Sequence, residues 1–357
     1  MNSRTLLRLT VACVTCVALA PSTRSATTDS VALAWKLPAD ARYRVVSTLE
    51  QETSTQVADQ VQHESMSQRT TRLVVVDDVD EQGTMDLTVT IDALSMRKVS
   101  ETMTMTLSAG PDDKGKLQVK ATVETTVPAF DTEEFEDFFE AVVTNLVEVG
   151  FALRVTPRGQ VLSSKASGNP FDNIPATTEA AALATEVLKM MLSPEDLAQA
   201  VAAELFVQLP DQRVEAGDHW PVARELSVSG IRMVGTGKST LQRIDSAGGS
   251  SLAMINEQLE YAVITDDFET RLAGLMSKIY EQLGVQVAIT VDLRADPISA
   301  ESNATFDMDG GYCRSVKWND LNMPMSGTMS VGKQGVDMNM LVEMSNGSST
   351  WTPLEVK

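Results

Sequence analysis

The chain has 357 residues, of which 43% are hydrophobic, and its 49 acidic residues outnumber 29 basic ones, for a formal net charge of −20. This length supplies a large hydrophobic core or two sub-domains. The excess of negative charge argues against nucleic acid and anionic lipid surfaces as partners, because both repel an acidic surface.

Residues 1–25 have the three-part pattern of a secretory signal. Arg4 and Arg8 precede or flank the start of an apolar stretch, and small residues follow it, which predicts export to the periplasm or the extracellular space with cleavage near Ser25. A lipid anchor on Cys13 is the less favoured alternative, because Thr10 stands where an aliphatic residue is expected. No other stretch approaches the roughly 18 apolar residues of a membrane span, so no transmembrane span is predicted.

Residues 26–172 are predicted to form a first strand-rich half with one helix. A turn at residues 80–83 is followed by apolar residues at every second position, the period of a strand with one buried face: Met85, Leu87, Val89 and Ile91. The spacing then becomes helical from Phe135 and Glu136, and Gly150 marks the predicted end of the helix.

Residues 173–210 are predicted to form a central helical hairpin, with its helical part at residues 177–206. One apolar stripe predicts the first helix: Leu183, Val187, Leu188, Met191 and Leu192. Ser193 followed by Pro194 is typical of the start of a second helix.

Residues 211–357 are predicted to form a second strand-rich half that repeats features of the first. A turn at residues 245–249 leads into alternating Leu252 and Met254, and a helix is predicted from Phe268 and Glu269 to Gly284. This echo indicates an internal duplication. The expected fold class is α+β, with long bent antiparallel sheets in two related halves and amphipathic helices packed on the concave side.

Residue types that carry catalysis or bind metals are scarce. The only histidines are His63 and His219, and Cys313 is the one cysteine that follows the predicted signal. No disulfide within the exported chain is therefore expected, and we assign no catalytic, cofactor-binding or metal-binding residues and predict no cofactor. The run from Gly235 to Thr240 resembles the end of a phosphate-binding loop, but Arg232 occupies the position of its first glycine.

Methionines recur in pairs with strand spacing, as in Met323 with Met325. Core packing is the favoured interpretation, the flexible lining of an apolar ligand cavity is the second, and a Cu(I) site is the third. The residues predicted to line such a cavity come from these pairs and from the first helix of the hairpin: Met103, Met105, Leu183, Val187, Met191, Met338 and Met340.

Short turn motifs carry a resemblance to a known family. They are a V-x-x-V-D-x-x-G-like hairpin at residues 76–83, Leu209 and Pro210 followed by a G-D-x-W segment at residues 217–220, and an F-D-x-x-x-G hairpin at residues 306–311. From about Ala34 onward the chain thereby resembles a family of exported bacterial β-rich proteins of unknown function. The resemblance implies export and a β-rich architecture, and it implies no catalytic residue.

These observations predict an exported noncatalytic protein that carries or binds a hydrophobic small molecule, lipid or protein partner in an apolar cradle between the two halves. The alternative is a structural or protein-interaction module of the cell envelope without a pocket. An enzyme that uses paired carboxylates is the third hypothesis.

Overall fold

The computed structural model describes residues 30–57, 60–126, 131–172, 174, 179–191, 193–228, 231–247, 249–282, 285–332 and 334–355. The predicted signal, residues 1–25, lies outside the described residues. The strands of the first half are β1 (Arg42–Val57), β2 (Gln60–Val79), β3 (Met85–Ser100), β4 (Met103–Pro111), β5 (Leu117–Thr125), β6 (Gly150–Val155) and β7 (Val161–Ala166). Those of the second half are β8 (His219–Val228), β9 (Ile231–Ala247), β10 (Ser250–Ile264), β11 (Ile289–Ala295), β12 (Ile298–Asp307), β13 (Tyr312–Trp318), β14 (Leu321–Val331) and β15 (Gln334–Leu354). The helices are α1 (Thr132–Glu148), α2 (Glu179–Met191), α3 (Pro194–Leu205) and α4 (Asp266–Gln282).

All fifteen strands belong to one antiparallel sheet, whose main path runs β5-β4-β3-β2-β1-β15-β13-β12-β10-β9-β8. The path forks twice. One end of β3 pairs with β4 and the other with β6, which continues to β7. In the same way β15 pairs with β13 near its end and with β14 along its first part, and β14 continues to β11.

The predicted α+β class, with two bent sheets and a covering layer of helices on the concave side, is wrong. The protein is mainly β, because far more of its described residues lie in strands than in helices, and one sheet runs through both predicted halves. Alternation within each strand was visible in the sequence, whereas the pairing of the first strand, β1, with the last, β15, was not. That pair joins the halves into a single sheet.

Two helices coincide with the predicted duplicated helices. Helix α1 begins after Asp131, whose side chain accepts a hydrogen bond from the Glu134 amide, and α4 begins at Asp266. The predicted end of the second helix, Gly284, lies outside the described residues. No helix of the described chain is long and apolar enough to cross a membrane.

The segment before β1, residues 30–41, packs into the core. Backbone hydrogen bonds tie Val31 to Val214, Trp35 to Pro157 and Lys36 to Gly311, so this segment contacts turns from both halves. Several aromatic rings meet there: Trp35, Tyr43, Phe206, Phe306, Tyr312 and Trp351. The indole of Trp35 also donates to the Val207 carbonyl at 3.0 Å, which connects the segment to the chain just after α3.

The turn motifs of the sequence resemblance form tight turns. Asp80 accepts hydrogen bonds from the amides of Gln82 and Thr84, and Gly83 has a φ of 81°. Asp307 accepts from the Gly310 amide and from Arg314, and these bonds hold the pKa of its carboxyl below the usual range although burial acts in the opposite direction. The motifs therefore have a structural role as turn-forming sequences.

Carboxylates on two helices cover edge strands of the sheet. Glu136 and Glu140 of α1 accept hydrogen bonds from the Val123 and Ala121 amides of β5, at 2.7 and 3.0 Å. Glu269 of α4 accepts one from the Leu293 amide of β11 at 2.9 Å. These contacts satisfy outward-facing amides that could otherwise pair with another chain. Glu136 and Glu269, the glutamates at the two predicted helix starts, thus each accept a hydrogen bond from an edge strand. That edge strand precedes α1 in the first half and follows α4 in the second.

The edge strand β8 is covered by a glutamine. The side-chain amide of Gln208 donates to the Ala223 carbonyl at 2.6 Å and accepts from the Ala223 amide at 3.2 Å, so it imitates one residue of a neighbouring strand. We expect Gln208→Ala to lower the free energy of unfolding by about 1–2 kcal/mol, because two hydrogen bonds are lost at a partly covered edge. Gln62→Ala on an exposed part of β2 is the control and should change it by less than about 0.5 kcal/mol. Equal effects of the two substitutions in urea unfolding would contradict this role of Gln208.

Candidate functional site

A cavity of about 370 Å³ lies between strands of the two halves. Its walls come from β1 and β2 on one side, from β8, β9, β10 and β12 on the other, from one face of α3, and from the fork in β15. The volume is within the range of small-molecule sites, which begin near about 300 Å³. Of the two central helices, α3 is the one whose described residues line the cavity.

The two walls of the cavity differ in chemistry. The β1 and β2 wall is polar but largely uncharged, since its side chains are Ser47, Thr48, Leu49, Gln51, Gln68, Thr70 and Arg72. The opposite wall is mainly apolar: Leu226, Met233, Leu259, Tyr261 and Ala300. A ligand that fits both walls needs an apolar side and groups that can form hydrogen bonds.

Arg72 and Glu204 form one ion pair at the cavity. Both terminal nitrogens of Arg72 bond to the Glu204 carboxylate at 2.8 Å, and one of them also donates to Ser47 at 3.0 Å. Only 8% of the Arg72 side chain and 25% of the Glu204 side chain are exposed. Because Arg72 belongs to β2 and Glu204 to α3, this bidentate pair fastens the helix to the first half of the sheet.

Arg224 and Glu257 form a second, more deeply buried pair. The Nε atom of Arg224 lies 2.9 Å from Glu257, and one terminal nitrogen donates to the Ala203 carbonyl at 2.7 Å, near the carboxyl end of α3. A cation at this end of a helix is favourable, because the last carbonyls carry partial negative charge. Glu257 also accepts from Ser239 at 3.3 Å. Two arginines, one from each half, therefore position α3 over the cavity.

Tyr261 lies beside the second pair. Burial raises the pKa of its phenol to about 12, with Glu257 adding to the shift and Arg224 opposing it, so the hydroxyl stays neutral at physiological pH. Its ring leaves no space for a side chain at Gly235, where a Cβ atom would come within 2.5 Å of the ring. The glycines that resembled a phosphate-binding loop thus lie within strand β9, where Gly235 allows the tyrosine to pack against the strand.

The fork in β15 forms one end of the cavity. Register changes opposite this point, between Thr48 and Glu50 of β1, and Asn346 has a positive φ of 51°. Trp318 packs over Gly347, where an added Cβ would approach the indole to 3.1 Å. Glycine at position 347 lets the indole lie against the backbone and line the cavity.

The residues predicted to line a ligand cavity lie elsewhere. Met105 is buried in the main core on β4, Met103 is half-buried on the same strand, and Met338 is half-buried on β15. Val187 is half-buried on α2, whereas the side chains of Leu183 and Met191 lie outside the described residues. None of the five described side chains is among those lining the 370 Å³ cavity, and contact of the set with a ligand stays a prediction.

Met340 lines a second cavity of about 360 Å³, at the far ends of β1, β14 and β15. Six of the eleven residues that line it are polar or charged: Ser54, Gln56, Arg294, Asp296, Ser326 and Asn339. None of the buried ion pairs of the described residues borders it, so we regard the 370 Å³ cavity as the candidate site.

The reactive residue types noted in the sequence are not at the cavity. Cys313 is fully buried in the core, and burial raises the pKa of its thiol to about 12, which makes it a packing residue. His63 and His219 lie on β2 and β8 and do not line the cavity. Within the described residues, no group of three or more His, Cys, Asp or Glu residues is arranged to hold a metal ion.

The charged residues of the site were missed in the sequence, although a signal for them exists. Arg72 precedes Val74 and Val76 at strand spacing, so a cation falls on the same face as two core valines. Glu257 likewise lies on the same strand face as the core residues Ile255 and Leu259. A charge at an inward position of a strand predicts a buried partner, but the partners, on α3 and β8, are distant in sequence.

Comparisons with known proteins assign no family. No protein-family model matches the chain, and no curated protein matches it. The solved structures that align with it include the COG4313 outer membrane channel from Pseudomonas putida F1, which is 8% identical with 89% of this chain and 97% of the channel covered and a TM-score of 0.19. They also include a DUF1329 family protein from Desulfovibrio piger ATCC 29098, at 7% identity, with 85% of this chain and 84% of that protein covered and a TM-score of 0.14. TM-scores this low carry no argument about fold or function, and the family resemblance of the turn motifs stays a prediction.

Proposed function

We propose that this chain is an exported, noncatalytic binding protein that holds a small hydrophobic or amphiphilic molecule in the cavity between its halves. The single observation that carries the proposal is the 370 Å³ cavity with one mainly apolar wall. Export rests on the signal pattern of residues 1–25, which lie outside the described residues.

The construction of the cavity supports a binding role. Leu226 is half-buried beside this space, whereas Leu259 and Tyr261 are buried core residues that form its wall. A space of this size loses packing contacts that a filled core would retain. The two ion pairs hold α3 over this space instead of letting the helix pack into it. A protein that keeps such a cavity gains the capacity to bind an apolar group there.

The alternative of an envelope interaction module has less support. Among the described residues, the large hydrophobic side chains that are exposed lie on segments distant in sequence: Val61, Leu162, Ile244 and Val285. A docking surface for a protein partner needs a contiguous apolar patch, and scattered single residues are ordinary on protein surfaces.

Ligand occupancy can be tested on the full exported chain. We expect native mass spectrometry of the purified protein to show a bound molecule that organic extraction releases, and the extracted protein to bind the neutral fluorescent probe N-phenyl-1-naphthylamine. A protein without a bound molecule that also fails to bind the probe would rule out the proposal.

A cavity-filling variant locates the site. Ala300→Trp places a large ring in the cavity wall, and we expect at least about tenfold weaker probe binding, equivalent to about 1.4 kcal/mol. Ala152→Trp introduces the same ring at an exposed position of β6 and should leave probe binding unchanged. Thermal unfolding of both variants checks that they are folded, and equal probe affinity of the two would place binding outside the cavity.

A further inference from the structure

Both positive charges that line the cavity are paired. Arg72 and Arg224 supply two positive charges, and Glu204 and Glu257 supply two negative ones, each bonded to its partner at 2.8 to 3.2 Å. Glu301 also lines the cavity, and its carboxylate accepts hydrogen bonds from Asn256 and Asn319, whose amides carry no positive charge. The lining therefore has more negative than positive charge.

An anionic ligand therefore finds no free counter-charge on this lining. A carboxylate brought in beside Arg72 or Arg224 would have to compete with a glutamate that already holds the guanidinium in a bidentate or two-point contact. The negative charge of Glu301 would also repel it. Burying a charge without its own partner is unfavourable, because the lost hydration is not replaced.

The uncharged polar wall suits a different class of ligand. Gln51 and Gln68 lie opposite the apolar side chains of Leu259 and Tyr261. Their side-chain amides donate to Thr53 and Thr70 at 3.1 and 3.0 Å, and each amide oxygen can accept a hydrogen bond from a ligand. Such groups donate to and accept from hydroxyl, ester and amide functions without any change in net charge.

We propose that the ligand is an uncharged amphiphile, an apolar chain or ring bearing hydroxyl, ester or amide groups, and that the cavity discriminates against free fatty acids. This inference rests on the proposed function and adds the chemical class of the ligand. The carboxylates Glu204 and Glu257 serve as a selectivity device, because each removes an arginine that would otherwise attract anions.

Two ligands of equal chain length test the inference. Dodecanol and laurate compete with N-phenyl-1-naphthylamine for the extracted wild-type protein at neutral pH, each below the concentration at which it forms micelles. We expect dodecanol to displace the probe at a concentration at least about tenfold lower than laurate. Displacement by laurate at an equal or lower concentration overturns the inference. Absence of probe binding, in contrast, overturns the proposed function itself.

A charge variant and a matched control test the mechanism. Glu204→Gln leaves Arg72 without its carboxylate, and laurate should then bind at least about tenfold more tightly than it binds the wild type. Glu225→Gln removes the carboxylate that pairs with the exposed Arg232, outside the cavity lining, and the order of the two ligands should not change. Unchanged laurate affinity in a folded Glu204→Gln variant contradicts the assigned role of Glu204. If that variant does not fold, Arg72→Met combined with Glu204→Leu removes both charges, and a change in the wild-type order of ligands would then count against the inference.

Discussion

Glu257→Ala is expected to lower the free energy of unfolding by about 3–5 kcal/mol, because it leaves the buried guanidinium of Arg224 without its counter-charge. Only 12% of the Arg224 side chain and 6% of the Glu257 side chain are exposed, so water cannot replace the lost partner. Ser239 would lose an acceptor as well. Urea unfolding followed by tryptophan fluorescence measures the change.

An exposed pair of the same composition is the control. Arg232 and Glu225 form an ion pair whose side chains are 52% and 42% exposed, and Glu225→Ala should cost less than about 1 kcal/mol. Replacement of both buried partners, Arg224→Met with Glu257→Leu, should recover most of the stability lost in Glu257→Ala, because no unpaired charge remains. A double variant no more stable than the single one would show that the pair contributes more than charge compensation.

Gly159→Ala is expected to destabilise the protein by about 3–5 kcal/mol, since two penalties combine. The residue has a φ of 74°, in the left-handed region that costs an alanine roughly 1–2 kcal/mol. A Cβ atom there would also lie 2.2 Å from the Val207 carbonyl oxygen and 2.8 Å from the Trp35 indole nitrogen. Those two atoms are joined by a hydrogen bond that the new methyl group would force apart.

Gly115 separates the two penalties. Its φ of 76° is nearly the same, but no atom lies within 4 Å of the position that a Cβ would take. Gly115→Ala should therefore cost only the roughly 1–2 kcal/mol of backbone strain. If urea unfolding gave equal losses for Gly115→Ala and Gly159→Ala, the close packing around Val207 and Trp35 would not contribute to stability.

Local features of the fold were predictable from the sequence. The alternation in β3 and the helical spacing of α1 depend on residues close in sequence. Buried positions such as Leu87 and Val142 can therefore be recognised from the local pattern. The two central helices also lie within the predicted helical segment. The fold class was not predictable, because it depends on which strands pair, and a sequence with two similar halves suggests two sheets more readily than one.

The residues of the candidate site were not predictable from the sequence. A ligand site between two sheets stays a prediction, and the lining of the cavity in the single sheet depends on long-range contacts such as Arg72 with Glu204. Methionine pairs gave a prediction of a cavity lining because flexible thioethers suit irregular cavities. Residues such as Met105 instead pack in the core. The polar wall looked in the sequence like ordinary solvent-facing strand, since Gln68 and Thr70 are common surface residues.

The pairing of β1 with β15 sets the order of events during synthesis. Arg42 lies opposite Leu354, so β1 can pair with β2 but remains without β15 until residue 354 has emerged. Contacts this distant in sequence slow folding, because a very large loop must close before they form. We therefore expect a long-lived intermediate with an open β1 edge, on which a holding chaperone could act before the last strand completes the sheet.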